Sequence, residues 1–261
     1  MNQMNYIGVE ALLISSSLVM ISLFFSYWQK LKLEKEVIVG VLRAIVQLVA
    51  VGYVLEYIFG IDNPIYTTLL IAFMIFNASY NAAKRGKGIV NALPISFLSI
   101  AVGASITLSV LVFSGSIAYE PYQVIPVSGM IVGNAMVALG LSYKRMLAQF
   151  KDKRQEVETK LALGAGILPS SIEIIRESIK TGMLPTIDSA KTLGIVSLPG
   201  MMTGLILAGT PPLNAIKYQI MVTFMLLSTT SISSFIACYL SYKGFFNERK
   251  QLIYSEGTRE Q

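Results

Sequence analysis

The sequence predicts an all-α polytopic membrane protein with about seven transmembrane helices, an outside N-terminus and a cytoplasmic C-terminus. Three observations carry this. Apolar residues make up 54% of the 261-residue chain and charged residues only 14%, against roughly 25% charged in soluble domains. Mean hydropathy is +0.62, and the apolar residues fall in runs of the length that crosses a hydrocarbon core of about 30 Å. The basic residues, finally, segregate into alternate connections.

The runs lie near 7–28, 37–59, 63–83, 89–113, 124–143, 193–210 and 218–242. Each needs a helix, because lipid offers a backbone no hydrogen-bond partner. Nothing before Tyr6 is basic and Lys30, Lys32 and Lys35 follow the first run, so it reads as a retained span and not a cleaved leader. The second run carries Arg43 and Gln47, and the turn Gly60 to Pro64 separates it from the third. Turn residues at Lys84 to Gly88, Ser114 to Pro121 and Thr210, Pro211, Pro212 close the third, fourth and sixth. Short connections of this kind place neighbouring helices antiparallel. No internal repeat is visible, and the 261 residues read as a single membrane domain.

Lysine and arginine resist translocation and mark the cytoplasmic side. With the N-terminus outside, the inner segments hold Lys30, Lys32 and Lys35; Lys84, Arg85 and Lys87; nine residues from Lys144 to Lys191; and Lys243, Arg249, Lys250 and Arg259. That is 19 of 21 basic residues, with Arg43 and Lys217 the exceptions. An even number of spans puts a basic cluster on the wrong side. Topology therefore accounts for the net charge of +6, and nucleic acid is not an expected partner.

Absences narrow the chemistry. The chain has no histidine and one cysteine, Cys238, which removes imidazole metal ligands, histidine-based triads and intrachain disulfides. It contains no G-x-x-x-x-G-K-[ST] loop. ATP hydrolysis, if it powers this protein, belongs to another subunit.

The longest polar stretch, 144–192, lies between the fifth and sixth spans. No glycine or proline interrupts 141–163, so the fifth helix can continue beyond the membrane. A break is expected at Gly164, Gly166 and Pro169, then an S-x-x-E capping box at Ser170 and Glu173. Leu168, Ile172, Ile175 and Ile179 form one stripe at helical spacing. Such a helix either docks in a partner's groove or lies on the bilayer surface. The pattern alone supports both readings equally.

Polar side chains inside spans are expensive and mark pathways. Arg43 and Gln47, one turn apart, and Asn134 are the clearest. Arg43 lies about 9 Å inside its span boundary, near enough to snorkel, and the two amides can equally be interhelical glue. Glu10, Glu56, Asp62 and Glu120 fall near the outer face, where solvated carboxylates are the commoner reading. Two G-x-x-x-G pairs, Gly129 with Gly133 and Gly200 with Gly204, favour close intrachain packing. Pro126 and Pro199 free carbonyls that can line a cavity. Met201 and Met202 are suited to packing and, less commonly, to a soft metal.

The segment Gly194-Ile195-Val196-Ser197-Leu198-Pro199-Gly200-Met201-Met202-Thr203-Gly204, continuing through Leu207-Ala208-Gly209, Pro212, Ala215 and Tyr218-Gln219-Ile220, resembles the signature of the FetB-like permeases. Arg43-Ala44-Ile45-Val46-Gln47-Leu48 and Pro126 with Gly129-Met130-Ile131-Val132-Gly133-Asn134-Ala135-Met136 are similar to the same family. Its members are membrane subunits of ABC transporters and include bacterial iron exporters and plant aluminium-tolerance relatives. The resemblance implies a plasma-membrane permease paired with a separate cytosolic ATPase, as two copies of each. This chain would bind no cofactor, and ATP and Mg would sit on the partner. Glu158-Thr159-Lys160-Leu161-Ala162-Leu163-Gly164-Ala165 looks like an ATPase-contacting loop. Glu158, Leu161, Ala162 and Gly164, with Ile172, Ile175 and Ile179, are then the expected coupling residues. Arg43, Gln47, Asn134, Pro199, Met201, Met202 and Thr203 are the expected pathway residues.

Iron export is the family's best-known assignment, and amides and hydroxyls are hard ligands suited to it. With no histidine and no carboxylate pair in mid-span, coordination is expected to be weak and transient. Some plant relatives are associated with nucleotide sugars, a different cargo. A secondary transporter or channel is the alternative class, but it calls for inverted repeats or ionisable residues at the midplane.

Overall fold

A computed structural model describes residues 8–61 and 63–253; Asp62 and Arg259, named above, lie outside the described residues. The chain divides into two compact units, 1–61 and 62–261. No strand occurs among the described residues, only the isolated bridges Leu193 to Ser197 and Phe246 to Leu252.

In the first unit, α1 (Val9–Trp28) and α2 (Glu34–Ile61) are joined by a tight connection. Ser26 organises it: its hydroxyl donates to Glu34 Oε1 at 2.8 Å and accepts from the Leu33 backbone N–H at 3.2 Å. Lys30 and Lys32 hold positive φ angles of 53° and 59°, a region non-glycine residues seldom occupy. Ser26's two bonds help pin that turn.

The second unit is built around α5 (Pro121–Asp152), which packs against α3 (Pro64–Arg85), α4 (Ala92–Phe113), α7 (Ile167–Thr192) and α9 (Pro212–Ser241). Pro64 and Pro121 each sit in the first turn of their helix, where no donor is lost. Asn63 caps α3 by accepting from the Ile65 N–H at 2.9 Å. Ile131, Leu139, Tyr143, Met146 and Phe150 run down the buried side of α5. At its end, Phe150 stacks on Phe245 with ring centroids 4.1 Å apart. Short α6 (Arg154–Ala162) and α8 (Gly200–Leu207) complete the unit.

Among the described residues, six helices, α1 to α5 and α9, are long and apolar enough to cross a membrane. Continuation of the fifth span beyond 143 matches expectation, since α5 runs to Asp152. The difference falls on the sixth. Residues 193–210 do not form one helix: α7 ends at Thr192, the chain turns at Gly194 (φ 78°), and only the eight residues of α8 are helical. Pro199 explains part of this, because it cannot donate to a preceding helical turn and serves instead as the N-cap of α8.

The segment 144–192 also differs from a peripheral coupling stretch. Its longest part, α7, packs along α5 and α9 through Ser170, Ser171, Ile174, Ile175, Ser178 and Gly182. A β-carbon on Gly182 would meet Ser142 Oγ, the Ala138 carbonyl (2.7 Å) and Ser234 Oγ (2.9 Å), so only glycine permits that approach. Glu173 opposite Lys153, Gly182 opposite Ala138 and Ser142, and Leu193 beside Asn134 show that α7 runs antiparallel to α5. Lys191 is therefore level with the apolar middle of α5 and leaves the cluster counted from Lys144.

Two smaller expectations are also corrected. The helix starts at Ile167 with Gly166 as N-cap, and Ser170 donates back to the Gly166 carbonyl at 2.9 Å, so no capping box forms. Gly133, Gly200 and Gly204 would meet nothing within 4 Å on gaining a β-carbon, and Gly129 only the tip of Met74. Close helix approach occurs at Gly103, Gly140 and Gly182 instead.

Candidate functional site

A cavity of about 280 Å³ lies where α5, α7, α8 and α9 meet. Asn134 reaches it from α5, Pro185, Thr186 and Ser189 from α7, Pro199 and Met201 from the start of α8, and Gln219 and Thr223 from α9. A second cavity, about 490 Å³, shares Met130 and Met201 with the first and extends to Tyr122, Gln123, Pro126 and Leu205. The broken crossing thus forms one wall of a hollow that follows α5 toward its N-terminal end. Pro126 and Pro185, both inside helices, weaken the backbone ladder on two sides of it.

The lining is mostly apolar, with the neutral polar side chains Asn134, Thr186, Ser189, Gln219 and Thr223 set into it. Asn134 donates from Nδ2 to the Met130 carbonyl at 2.8 Å, leaving its amide oxygen uncommitted. Gln219 Oε1 is buried with no hydrogen-bond partner, an expensive arrangement unless something passing through supplies a donor or positive charge. Thr223 donates to the Gln219 carbonyl at 2.9 Å. No cluster of three or more cysteine or carboxylate side chains that could hold a metal occurs among the described residues. Oxygen dipoles without a cage can steady a cation briefly and release it, which is what passage requires.

Of the seven expected pathway residues, Asn134, Pro199 and Met201 line this cavity. Met202 and Thr203 lie on α8 outside the lining, and the Thr203 hydroxyl donates to the Pro199 carbonyl at 3.0 Å. Arg43 and Gln47 belong to α2 in the first unit and are exposed there; the cavity consists wholly of second-unit residues. Sequence reasoning missed Gln219 and Thr223 as site residues. Gln219 stood inside a quoted motif, and a glutamine within an apolar run was the signal available.

At the other end of α5 lies a charged surface. Glu158 pairs with Arg154 at 2.8 Å, Lys160 with Glu156 at 2.7 Å, and Glu173 approaches Lys153 (3.6 Å) and Lys160 (3.9 Å). The Lys160 hydrogen bond holds the Glu156 carboxyl below its ordinary range, and the same bond holds the Lys160 ammonium above its own. These pairs fix α6 against the start of α7. Leu163, 83% exposed, projects beside Ala162 and Gly164, whose φ of 89° makes the turn. Of the expected coupling residues, Glu158, Ala162 and Gly164 are exposed, while Leu161, Ile172 and Ile179 are half-buried. Ile175 is fully buried in the core, so the expected stripe is not one exposed face. The buried face of α7 is rotated toward its serines.

The sequence matches the family described as "Uncharacterised protein family (UPF0014)" over residues 9–246. The chain is 53% identical over 247 residues to the Escherichia coli (strain K12) protein named "Probable iron export permease protein FetB", covering 95% of each chain. It is 37% identical over 234 residues to "Protein ALUMINUM SENSITIVE 3" of Arabidopsis thaliana, covering 90% of this chain and 86% of that one. It is 34% identical to the Bacillus subtilis (strain 168) "UPF0014 membrane protein YjkA", covering 97% and 100%. No solved structure matches the chain. A profile spanning nearly the whole sequence, together with long apolar helices of membrane-crossing length, places the chain in the UPF0014 family of multi-pass membrane proteins.

Proposed function

We propose that this chain is the membrane-spanning permease subunit of an ATP-driven ABC transporter and exports a metal ion such as iron. A separate cytosolic ATPase carries ATP and Mg, and two permease copies assemble in the plasma membrane, with the N-terminus outside and the C-terminus cytoplasmic. The observation that supports this best is the course of α5. One unbroken helix runs from the uncharged cavity at Asn134 to the charged surface around α6. A push on the end of α6 and the turn after it, Glu158 to Gly164, would therefore be carried by a rigid element to the cavity wall.

The relatives add the cargo class, since one is named for iron export and covers this chain almost end to end. Uncommitted amide oxygens at Asn134 and Gln219 are ligands a hard cation accepts. The test is reconstitution with an ATP-binding-cassette subunit in vesicles. Stimulated ATP hydrolysis and ATP-dependent movement of ferrous iron are expected, and Glu158→Lys should lower both without changing membrane insertion. If the pair neither associates nor hydrolyses faster than the ATPase alone, the proposal fails.

A further inference from the structure

Resting on that reading, a second feature gives the pathway an ionic element. Asp188 and Lys191 form an ion pair on α7, Oδ1 to Nζ 3.1 Å, with side chains 62% and 67% exposed. Their depth follows from the antiparallel packing of α7 on α5. Gly182 abuts Ala138 and Ser142, while Leu193 shares a cavity with Met130 and Asn134. Asp188 and Lys191 therefore fall between those levels, beside the apolar middle of α5. Helix α9 gives the same answer: Gly182 abuts Ser234, and Leu193 shares the cavity with Gln219 and Leu226.

Neither α5 between Met130 and Ser142 nor α9 between Gln219 and Ser234 carries a charged side chain. Pro185, Thr186 and Ser189 of α7 turn into the cavity; Asp188 and Lys191 stand on the face turned away from it. Exposed charges at mid-bilayer are not stable against lipid, and where they occur they face water-filled passages and pair with each other. Such a pair is also reversible, because the lysine can yield the carboxylate to a competing cation, for which carboxylate oxygen is a hard ligand.

We propose that Asp188 and Lys191 border a second aqueous side of the pathway, on the face of α7 opposite the Asn134 cavity, where the Asp188 carboxylate takes up the exported cation and Lys191 reoccupies the carboxylate once that cation has left. Two measurements test this. First, Asp188→Cys and, as a lipid-level comparison, Val110→Cys are treated in membranes with a charged methanethiosulfonate reagent; the unsubstituted chain, whose Cys238 is buried, is the blank. Rapid modification at 188 and none at 110 is expected, and an unreactive 188 position overturns the proposal whatever the ATPase does. Second, in vesicles with the ATPase, Asp188→Asn should lower ferrous iron export about tenfold or more, the scale of losing one charge-assisted contact. ATPase stimulation and thermal stability should persist, Asp188→Glu should keep most of the export, and Lys191→Gln should lower the iron concentration giving half-maximal rate. Wild-type export by Asp188→Asn overturns the assignment. Absence of any stimulation in the unsubstituted pair instead defeats the permease reading, while the labelling result still decides whether the face is wet.

Discussion

The two halves of α5 are built on different terms. From Leu139 to Phe150 the helix is locked: Tyr143, Met146 and Phe150 are fully buried, Ser96 shares a 3.0 Å hydrogen bond with Tyr143, and Phe150 is held against Phe245 and Phe246. From Tyr122 to Asn134 it borders two cavities, carries Pro126, and has Gly133 with room beside it. The contrast teaches where motion is permitted. The half near the charged surface is packed too closely to deform, and the half beside the cavities has room to yield.

Mutations that loosen the first half or fill the second sharpen this difference. The largest effect is expected from Phe150→Ala, which removes a fully buried ring and its stacking partner; a loss of about 3–5 kcal/mol should appear as a large drop in melting temperature in detergent. Gly182→Val comes next, because its side chain would collide with Ser142, the Ala138 carbonyl and Ser234. Overpacking of this kind costs about 1–3 kcal/mol, read in the same melting experiment. A smaller effect of opposite sign is expected at the cavity end. Gly204→Ala meets no neighbour within 4 Å and should stabilise the chain by about 0.5 kcal/mol through helix propensity. A clear destabilisation there would mean that the α8 face is packed against something in the assembled protein.

The smallest effect concerns the exposed pair at the charged surface. Glu156 has its carboxyl pKa depressed by Lys160, so its contribution is complete above the unfolded carboxylate value and disappears as pH falls through the lower folded one. Glu156→Gln should flatten the acid side of a stability profile slightly below the ordinary carboxylate range and leave neutral pH almost unchanged. A large shift at neutral pH would show that this surface is less solvated than the structure makes it.

The sequence made most of the helices legible because their apolar runs exceed what a soluble core needs. Continuation of the fifth helix past 143 was legible too, from the lack of glycine or proline, but the same lack over 141–163 gave no sign of the break at Lys153. What stayed hidden was how far α7 runs and what it packs against. Its buried face mixes Ile174 and Ile175 with Ser170, Ser171, Ser178 and Gly182, small residues that dilute the apolar signal although they pack closely, Ser170 and Ser178 bonding to nearby backbone carbonyls. Ser178, for instance, donates to the Ile174 carbonyl at 2.7 Å. Misplacing α7 also hid Asp188 and Lys191, since a segment taken for a cytoplasmic stretch gives its charges no significance. The glycine pairs misled for a related reason: spacing names a helix face but not whether a neighbour fills it. At the cavity, Asn134, Pro199 and Met201 could be singled out because amides and prolines are costly in apolar runs, whereas Gln219 needed its unpaired oxygen to be seen.

The interruption after Thr192 has one more consequence. The Thr192 carbonyl accepts from the N–H groups of Ile195 and Val196, and the Ser197 carbonyl accepts from Gly194, yet the carbonyls of Ile195, Val196 and Leu198 accept no backbone bond among the described residues. Main-chain oxygens freed at this point are electron-pair donors that belong to the peptide and not to any particular amino acid. An ion meeting them would be greeted equally well whatever letters were written there, so replacing side chains one at a time will underestimate how much of its reception this stretch provides.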